Sequence, residues 1–273
     1  MSSPVPVQHR HVMQRIASFM HAVADLLLPP VCLGCDGPID ARDEARLACR
    51  VCRARLRAIP SPVCARCGAS IRVTGRSRDE ACHECAAWPR ELAAARSACL
   101  LLPPADRLVH QLKYRGWPAL AGPLAERMTM LLLPDAMRRA TLCVPVPTTM
   151  GRLRERGYNQ AEVLARTFAG LSGRELRRAL RREGHAGTQT TLQPVARRAN
   201  VAGAFRVEPR EATRIRGAHI LLVDDVLTTG ATASACAQAL AAAGARYVAL
   251  ITFARALDAR RLTRYWGAED EQR

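Results

Sequence analysis

A chain of 273 residues with 49% hydrophobic content can bury the core of one ordinary domain plus a small appendage, which excludes wholesale disorder. Aromatic residues are only 4%, so that core has to be built from Ala, Val and Leu. The net charge of +17 attracts phosphates, nucleic acid or an anionic surface; yet Lys113 is the only lysine, and an arginine bias of the source genome would give the same excess without selection for binding.

Residues 11 to 28 read as an amphipathic helix, with Val12, Ile16, Phe19, Val23 and Leu27 forming one apolar stripe that Pro29 and Pro30 end. Its polar face is not dominated by Lys and Arg, so packing on the protein itself is favoured over membrane attachment. His9, His11, His21 and Asp25 interrupt the N-terminal apolar stretch, which argues against a secretory signal. No apolar run approaches the ~20 residues needed to cross a bilayer. The expectation is a soluble, cytoplasmic protein with no transmembrane segment, whose cysteines stay reduced.

Residues 31–88 form a cysteine-rich module too short of apolar segments to make its own core. Eight of the eleven cysteines fall in four CxxC pairs: Cys32/Cys35, Cys49/Cys52, Cys64/Cys67 and Cys82/Cys85. Thirteen residues separate the first two pairs and fourteen the last two, gaps that suit zinc ribbons in which each CxxC gives two thiolates to a tetrahedral Zn²⁺. Two successive Cys₄ sites need the fewest assumptions, although a cross-braced pairing uses the same residues. Both sites are closed, so the metal folds the module and does no chemistry.

From about residue 92 the pattern alternates between apolar runs and amphipathic stretches. Leu108-Val109, Leu112 and Leu120 to Leu133 predict two helices, broken around Gly116 and Pro118. Cys143 to Pro147 reads as a short buried strand, and Asn159 to Leu171 as a helix with Asn159 as its N-cap. Arg181 to Asn200 has little apolar periodicity and reads as a loop. Ile220 to Val223 is a continuous apolar run of the central parallel-strand kind; an Ala-rich helix from Thr232 to Ala243 and a strand from Tyr247 to Phe253 follow. Strand, helix, strand in this order predicts an α/β sheet with right-handed crossovers, and the polar end from Gly267 to Arg273 reads as frayed.

The chemistry-bearing stretch runs from Ile220 to Thr232. An apolar strand delivers Asp224 and Asp225 at its C-terminal end, where α/β folds bind ligands. The following loop, Thr228-Thr229-Gly230-Ala231-Thr232, offers amides, hydroxyls and a helix N-terminus to an anion. Carboxylates accept from sugar hydroxyls, so acids and cradle together suit a sugar phosphate. A second candidate anion site is the strand end at Pro147 followed by Arg152, Arg154 and Arg156, read as an arginine-bearing loop. No GK[ST] P-loop exists, so any ATP-driven step belongs to a partner.

The Ile220–Thr232 stretch closely resembles the 5-phosphoribosyl-1-pyrophosphate motif of type I phosphoribosyltransferases. The resemblance implies that Asp224 and Asp225 hold the ribose hydroxyls, that Thr228 to Thr232 hold the 5′-phosphate, that Pro147 to Arg156 forms the pyrophosphate loop, and that 181 to 200 closes over the site. Thr228 stands where oxopurine-salvage members carry an acid, which disfavours that substrate class. The cysteine module joined to this motif, with Leu112-Lys113-Tyr114-Arg115-Gly116, Arg156-Gly157-Tyr158-Asn159-Gln160, Thr188-Gln189 and Arg198 to Phe205, is similar to the ComF (competence protein F) family over nearly the whole chain. That resemblance implies a type I phosphoribosyltransferase-like parallel sheet flanked by helices over residues 92–263, structural Zn²⁺ in the module, and Mg²⁺ arriving with the pyrophosphate ligand. It further implies a part in natural transformation, moving single-stranded DNA at the inner membrane with a helicase-like partner. The arginines at 152 to 156 and 174 to 182 are the candidate DNA contacts, with few aromatics to stack on bases. The alternative is an active phosphoribosyltransferase of nucleotide or small-molecule metabolism with no DNA role. A glutamine-dependent ammonia-liberating activity is not expected, because the sequence begins Met1-Ser2 without a catalytic cysteine.

Overall fold

The computed structural model describes residues 30–39, 47–71, 82–183 and 203–256. The expected helix at 11 to 28, Thr188-Gln189, Arg198 to Ala202, most of the 181 to 200 segment and the chain beyond residue 256 lie outside the described residues. In chain order the helices are α1 (Arg50–Ala54), α2 (Ala105–Tyr114), α3 (Ala121–Thr129), α4 (Asp135–Arg138), α5 (Met150–Arg156), α6 (Gln160–Ser172), α7 (Ala212–Ile215) and α8 (Ala231–Ala242). The strands are β1 (Ala94–Leu100), β2 (Leu142–Pro145), β3 (Glu175–Leu176), β4 (Leu180–Arg182), β5 (Phe205–Val207), β6 (His219–Leu227) and β7 (Tyr247–Arg255).

Five strands form one parallel sheet in the order β1-β7-β6-β2-β3. The continuous apolar run of β6 follows from its place between β7 and β2, with helices over both faces. Leu221 and Val223 enter one core with Ala249, Ile251, Phe253 and α2, α3 and α6. Ile220 and Leu222 enter the other with Val248, Leu250 and α8. After β2 the chain winds outward to β3, whereas after β6 it winds the other way to β7. The reversal leaves a crevice at the C-terminal ends of β2 and β6, the position at which such sheets bind ligands.

Two readings of the sequence differ from the structure. Residues 150–156 are a helix, not a loop, because Thr149 caps its start by accepting from Arg152 N (3.2 Å) and Gly157 ends it in the left-handed region (φ 78°). Residues 174–182, read as an arginine loop, contain β3 and β4, and within them Arg177 pairs with Glu175 and Glu211, Arg178 with Glu162, and Arg181 with Glu183. Strand β4 here pairs antiparallel with β5, Leu180 opposite Val207 and Arg182 opposite Phe205.

The cysteine module covers the open edge of β1. Ala95 N donates to Arg66 O and Leu100 N to Arg57 O, both at 2.8 Å, satisfying strand groups that an edge leaves exposed. Its own apolar cluster, Cys32, Ile39 and Cys52, is as small as its composition predicts. Among the described residues, no helix is long and apolar enough to cross a membrane.

Candidate functional site

The cysteines gather in successive groups, Cys32/Cys35/Cys49/Cys52 and Cys64/Cys67/Cys82/Cys85, with all four sulfurs of each group within 4.8 Å of one another. Sulfur separations of 3.9 Å (Cys35–Cys49 and Cys64–Cys85), 3.4 Å (Cys67–Cys82) and 3.7 Å (Cys82–Cys85) lie around the ~3.8 Å that a tetrahedron with ~2.3 Å Zn–S bonds requires. Both groups therefore fit a tetrahedral metal. The two knuckles repeat one backbone design: Cys32 N bonds Gly37 O and Cys64 N bonds Ala69 O, with matching bridges Val31–Pro38 and Val63–Ser70. Burial opposes ionisation of Cys32, but the amides of Cys49, Gly34 and Cys35 outweigh it and bring that thiol down to about 7. In Cys64 the amides of Cys67, Cys82 and Arg66 overcome burial in the same way, again to about 7. Each group thus contains a thiol predisposed to the thiolate form that ligation needs.

A cleft of about 520 Å³ occupies the crevice between β2 and β6. Strand β6 delivers Asp224 and Asp225 to its floor, while Thr228 and Thr232 line it from the loop that enters α8. Thr229, Gly230 and Ala231 complete that loop; Gly230 is the α8 N-cap, at φ 80°. Burial, then the adjacent Asp225 charge, pushes the Asp224 carboxyl well above the ordinary carboxylate range. Asp225 is paired with Lys113 Nζ at 2.6 Å. The chain's one lysine thus neutralises half of the acid pair, a contact between positions 112 apart that no local sequence signal announces.

The opposite wall is cationic. Arg152 and Arg156 line the cleft from α5, one helical turn apart on the same face, together with Arg182 of β4 and Pro147 from the strand end. Arg154, midway between them, is exposed on another side of the helix and is not brought to the cleft. Burial, then the neighbouring Arg152 charge, draws Arg182 below its ordinary value.

The two short motifs around α2 and α6 lock this wall in place. Tyr158 donates its hydroxyl to Leu112 O, and the Arg156 guanidinium lies 4.6 Å from the Tyr114 ring centroid while donating to Gln160 Oε1 (2.9 Å). Asn159 does two tasks: its Oδ1 caps α6 by accepting from Ala161 N, and its Nδ2 donates to Val146 O, both at 3.1 Å. Asn159→Ala is expected to cost about 1–2 kcal/mol, read as a lower denaturation midpoint with an unchanged slope.

The sheet, its switch-point cleft and the two Cys₄ groups define a phosphoribosyltransferase-fold protein with a double zinc ribbon. Residues 23–86 match the double zinc ribbon domain, and residues 153–267 match the phosphoribosyl transferase domain. The chain is 30% identical to the DNA utilization protein YhgH of Salmonella typhimurium over 243 residues, covering 85% of this chain and 100% of that one. The YhgH protein of Escherichia coli K12 matches at 29% over the same spans. Competence protein F of Haemophilus influenzae is 25% identical over 231 residues, 82% of this chain and 96% of its own. The chain belongs to the ComF family.

Proposed function

We propose that the cleft binds 5-phosphoribosyl-1-pyrophosphate with Mg²⁺ and that the protein serves the handling of single-stranded DNA during uptake. The observation that carries the ligand is the polarity of one cleft. Its floor holds a carboxyl raised by burial and by the adjacent Asp225, and its wall holds an arginine lowered by burial and by the nearby Arg152. A ligand with hydroxyl donors at one end and pyrophosphate oxygens at the other relieves both. Asp224 and Asp225 accept from the ribose hydroxyls, the amides and hydroxyls of Thr228 to Thr232 hold the 5′-phosphate, and Arg152 and Arg156 grip the pyrophosphate. Mg²⁺ enters on the pyrophosphate and keeps most of its waters. A transferase step on such a ligand would displace pyrophosphate from C1 by an amine or nucleobase, with the arginines stabilising the leaving charge.

The DNA role rests on the charge of +17 and on the printed names of the relatives. With few aromatics, strand binding would come from phosphate contacts and carry little sequence preference. Without a P-loop, movement of the strand falls to a helicase-like partner at the inner membrane. Residues 31–88 and 92–263 form the two working parts, and reduced thiols for zinc suit the cytoplasm.

The test is calorimetric titration of zinc-loaded protein with the phosphoribosyl ligand and Mg²⁺, with and without a single-stranded oligonucleotide. We expect micromolar ligand binding, and oligonucleotide binding that weakens steeply between 50 and 200 mM salt, as roughly six or more phosphate contacts dictate. Release of pyrophosphate in the presence of an added amine or base identifies a working transferase. Oligonucleotide binding with no ligand heat sinks the ribose-phosphate assignment.

A further inference from the structure

Between the second ribbon and α8 lies a narrow cleft of about 390 Å³, lined by His83, Glu84 and Trp88 on one side and by Thr229, Ala231 and Ser234 on the other. The loop that forms the proposed phosphate cradle is therefore a partition: Thr228 and Thr232 face the acid-floored cleft, while Thr229 and Ala231 face the ribbon. Trp88 closes this back side. It is only 8% exposed, and its Nε1 donates to Thr229 O at 2.9 Å. Gly230 runs flat against the indole, since a Cβ there would meet the ring at 2.7 Å. The positive φ of Gly230 (80°) and this close approach both demand glycine.

The peptide plane fixes the consequence. Thr229 C=O and Gly230 N–H belong to one trans peptide and point in opposite directions. Holding the carbonyl on the indole turns the N–H away from the ribbon, toward the side occupied by Thr228 and Thr232. The indole is itself fastened to the ribbon. Trp88 N bonds Cys85 O (3.0 Å), and the Arg66 guanidinium gathers the carbonyls of Cys85, Trp88, Pro89 and Leu92 at 2.7–3.4 Å. The ribbon is fastened in turn to the sheet, where Arg255 at the end of β7, 1% exposed, donates to Cys67 O at 2.8 Å. A Cβ on Gly68, the residue after Cys67, would sit 2.9 Å from Ala95 O of β1. The first ribbon makes its bonds elsewhere, from Asp36 to Arg107 of α2.

We infer that the second ribbon is the rear wall of the phosphate cradle and that Trp88 is a positioning residue, orienting the Thr229–Gly230 peptide for a 5′-phosphate monoester. This rests on the ribose-phosphate reading above and adds to it a coupling between the second metal group and the ligand. Coupling of binding equilibria is reciprocal, so what the ribbon does for the phosphate, the phosphate does for the ribbon's metal.

Trp88→Phe keeps most of the ring in place and removes the N–H donor. With ribose 5-phosphate as the probe, the variant should bind about 3- to 10-fold more weakly, the worth of one such hydrogen bond. Affinity for inorganic pyrophosphate, which the arginine wall holds, should stay unchanged, as should zinc content. In the wild type, saturating ribose 5-phosphate should raise the chelator concentration that removes one zinc at equilibrium and not the other, and Trp88→Phe should reduce that protection. Equal ribose 5-phosphate affinity in variant and wild type overturns the brace. So does a parallel loss of pyrophosphate affinity, which would mark Trp88 as packing only. If the wild type binds no ribose 5-phosphate, the ribose-phosphate reading fails, and the brace with it; wild-type binding with an unaffected variant sinks the brace alone.

Discussion

Asp224→Asn with Asp225→Asn is expected to abolish ligand-induced thermal stabilisation, and Asp224→Asn alone, which keeps the Lys113–Asp225 pair, to leave the unliganded protein at least as stable near neutral pH. Each aspartate offers a charged acceptor to a ribose hydroxyl, and hydrogen bonds to charged groups contribute ~1.5–3 kcal/mol. Losing both acceptors weakens binding by about two to four orders of magnitude. The stability half follows from the surroundings of Asp224. Burial and the Asp225 charge raise the Asp224 carboxyl, so the folded state holds its proton more tightly than the unfolded chain. A raised carboxyl binds more protons folded than unfolded, so stability falls as pH rises from about 4, where the unfolded aspartate releases its proton, through the folded value. Asp224→Asn alone removes that dependence. Thermal melts from pH 4 to 8 should show wild type and Asp224→Asn converging at the acid end, with the wild type losing ground above it. An Asp224→Asn protein that is destabilised at pH 7.5, or a ligand shift that survives in the double variant, contradicts the assignment of these acids.

The same environment that penalises the free site is what a ligand exploits. Lys113, mostly buried, holds Asp225 at 2.6 Å and so offsets one carboxylate of the acid pair. Across the cleft Arg152 and Arg182 repel one another. On the reading proposed above, a ligand with hydroxyl donors at one end and pyrophosphate oxygens at the other would relieve both sides at once. Perturbed pairs of this kind are expected at functional sites, where stability is given up for binding.

How much of this was legible in the sequence depended on whether the signal was local. Strand β6, the loop after it and α8 are contiguous, and an apolar run ending in two acids and small residues reads directly as a strand, a site and a helix start. Asn159 announced its own cap, which the structure places on Ala161 N. Strand β1 has no local strand signal, because Ala94 to Leu100 contains no β-branched residue. Its burial comes from β7 on one edge and the ribbon on the other, both far away in the chain. Helix α5 has the arginine-rich composition of a solvated loop, although Thr149 before it and Gly157 after it are helix punctuation. The successive grouping of the cysteines could not be chosen over a cross-braced one from spacing, since both use the same four pairs. The Trp88–Thr229 and Lys113–Asp225 contacts, 141 and 112 positions apart, are products of the fold and have no local signature.

Cys67→Ser is expected to release one zinc per chain and to destabilise the whole protein, whereas Cys35→Ser should release the other zinc at a smaller cost. Structural zinc contributes on the order of 10–16 kcal/mol in isolated ribbons and fingers, as much as a domain's entire stability of about 5–15 kcal/mol. What decides the outcome is how much of the sheet leans on each ribbon. Cys67 is fully buried and its carbonyl accepts from Arg255, whose guanidinium is 1% exposed and also faces Glu84 at 3.6 Å. If the second knuckle opens, Arg255 loses its acceptor, and stripping one partner from a buried charge costs about 3–5 kcal/mol unless water reaches it. Admitting that water uncovers Trp88, Leu92 and Ala95, which pack in the same core as Ile220 and Leu222. Cys35 is exposed, and the Asp36–Arg107 pair beside it is open to solvent, so a Ser there leaves the central strands covered. Zinc stoichiometry by metal analysis, read with thermal unfolding of both variants, tests this. Equal losses of stability would mean that the two ribbons carry the sheet alike, and that the edge of β1 is held as much at Arg57 as at Arg66.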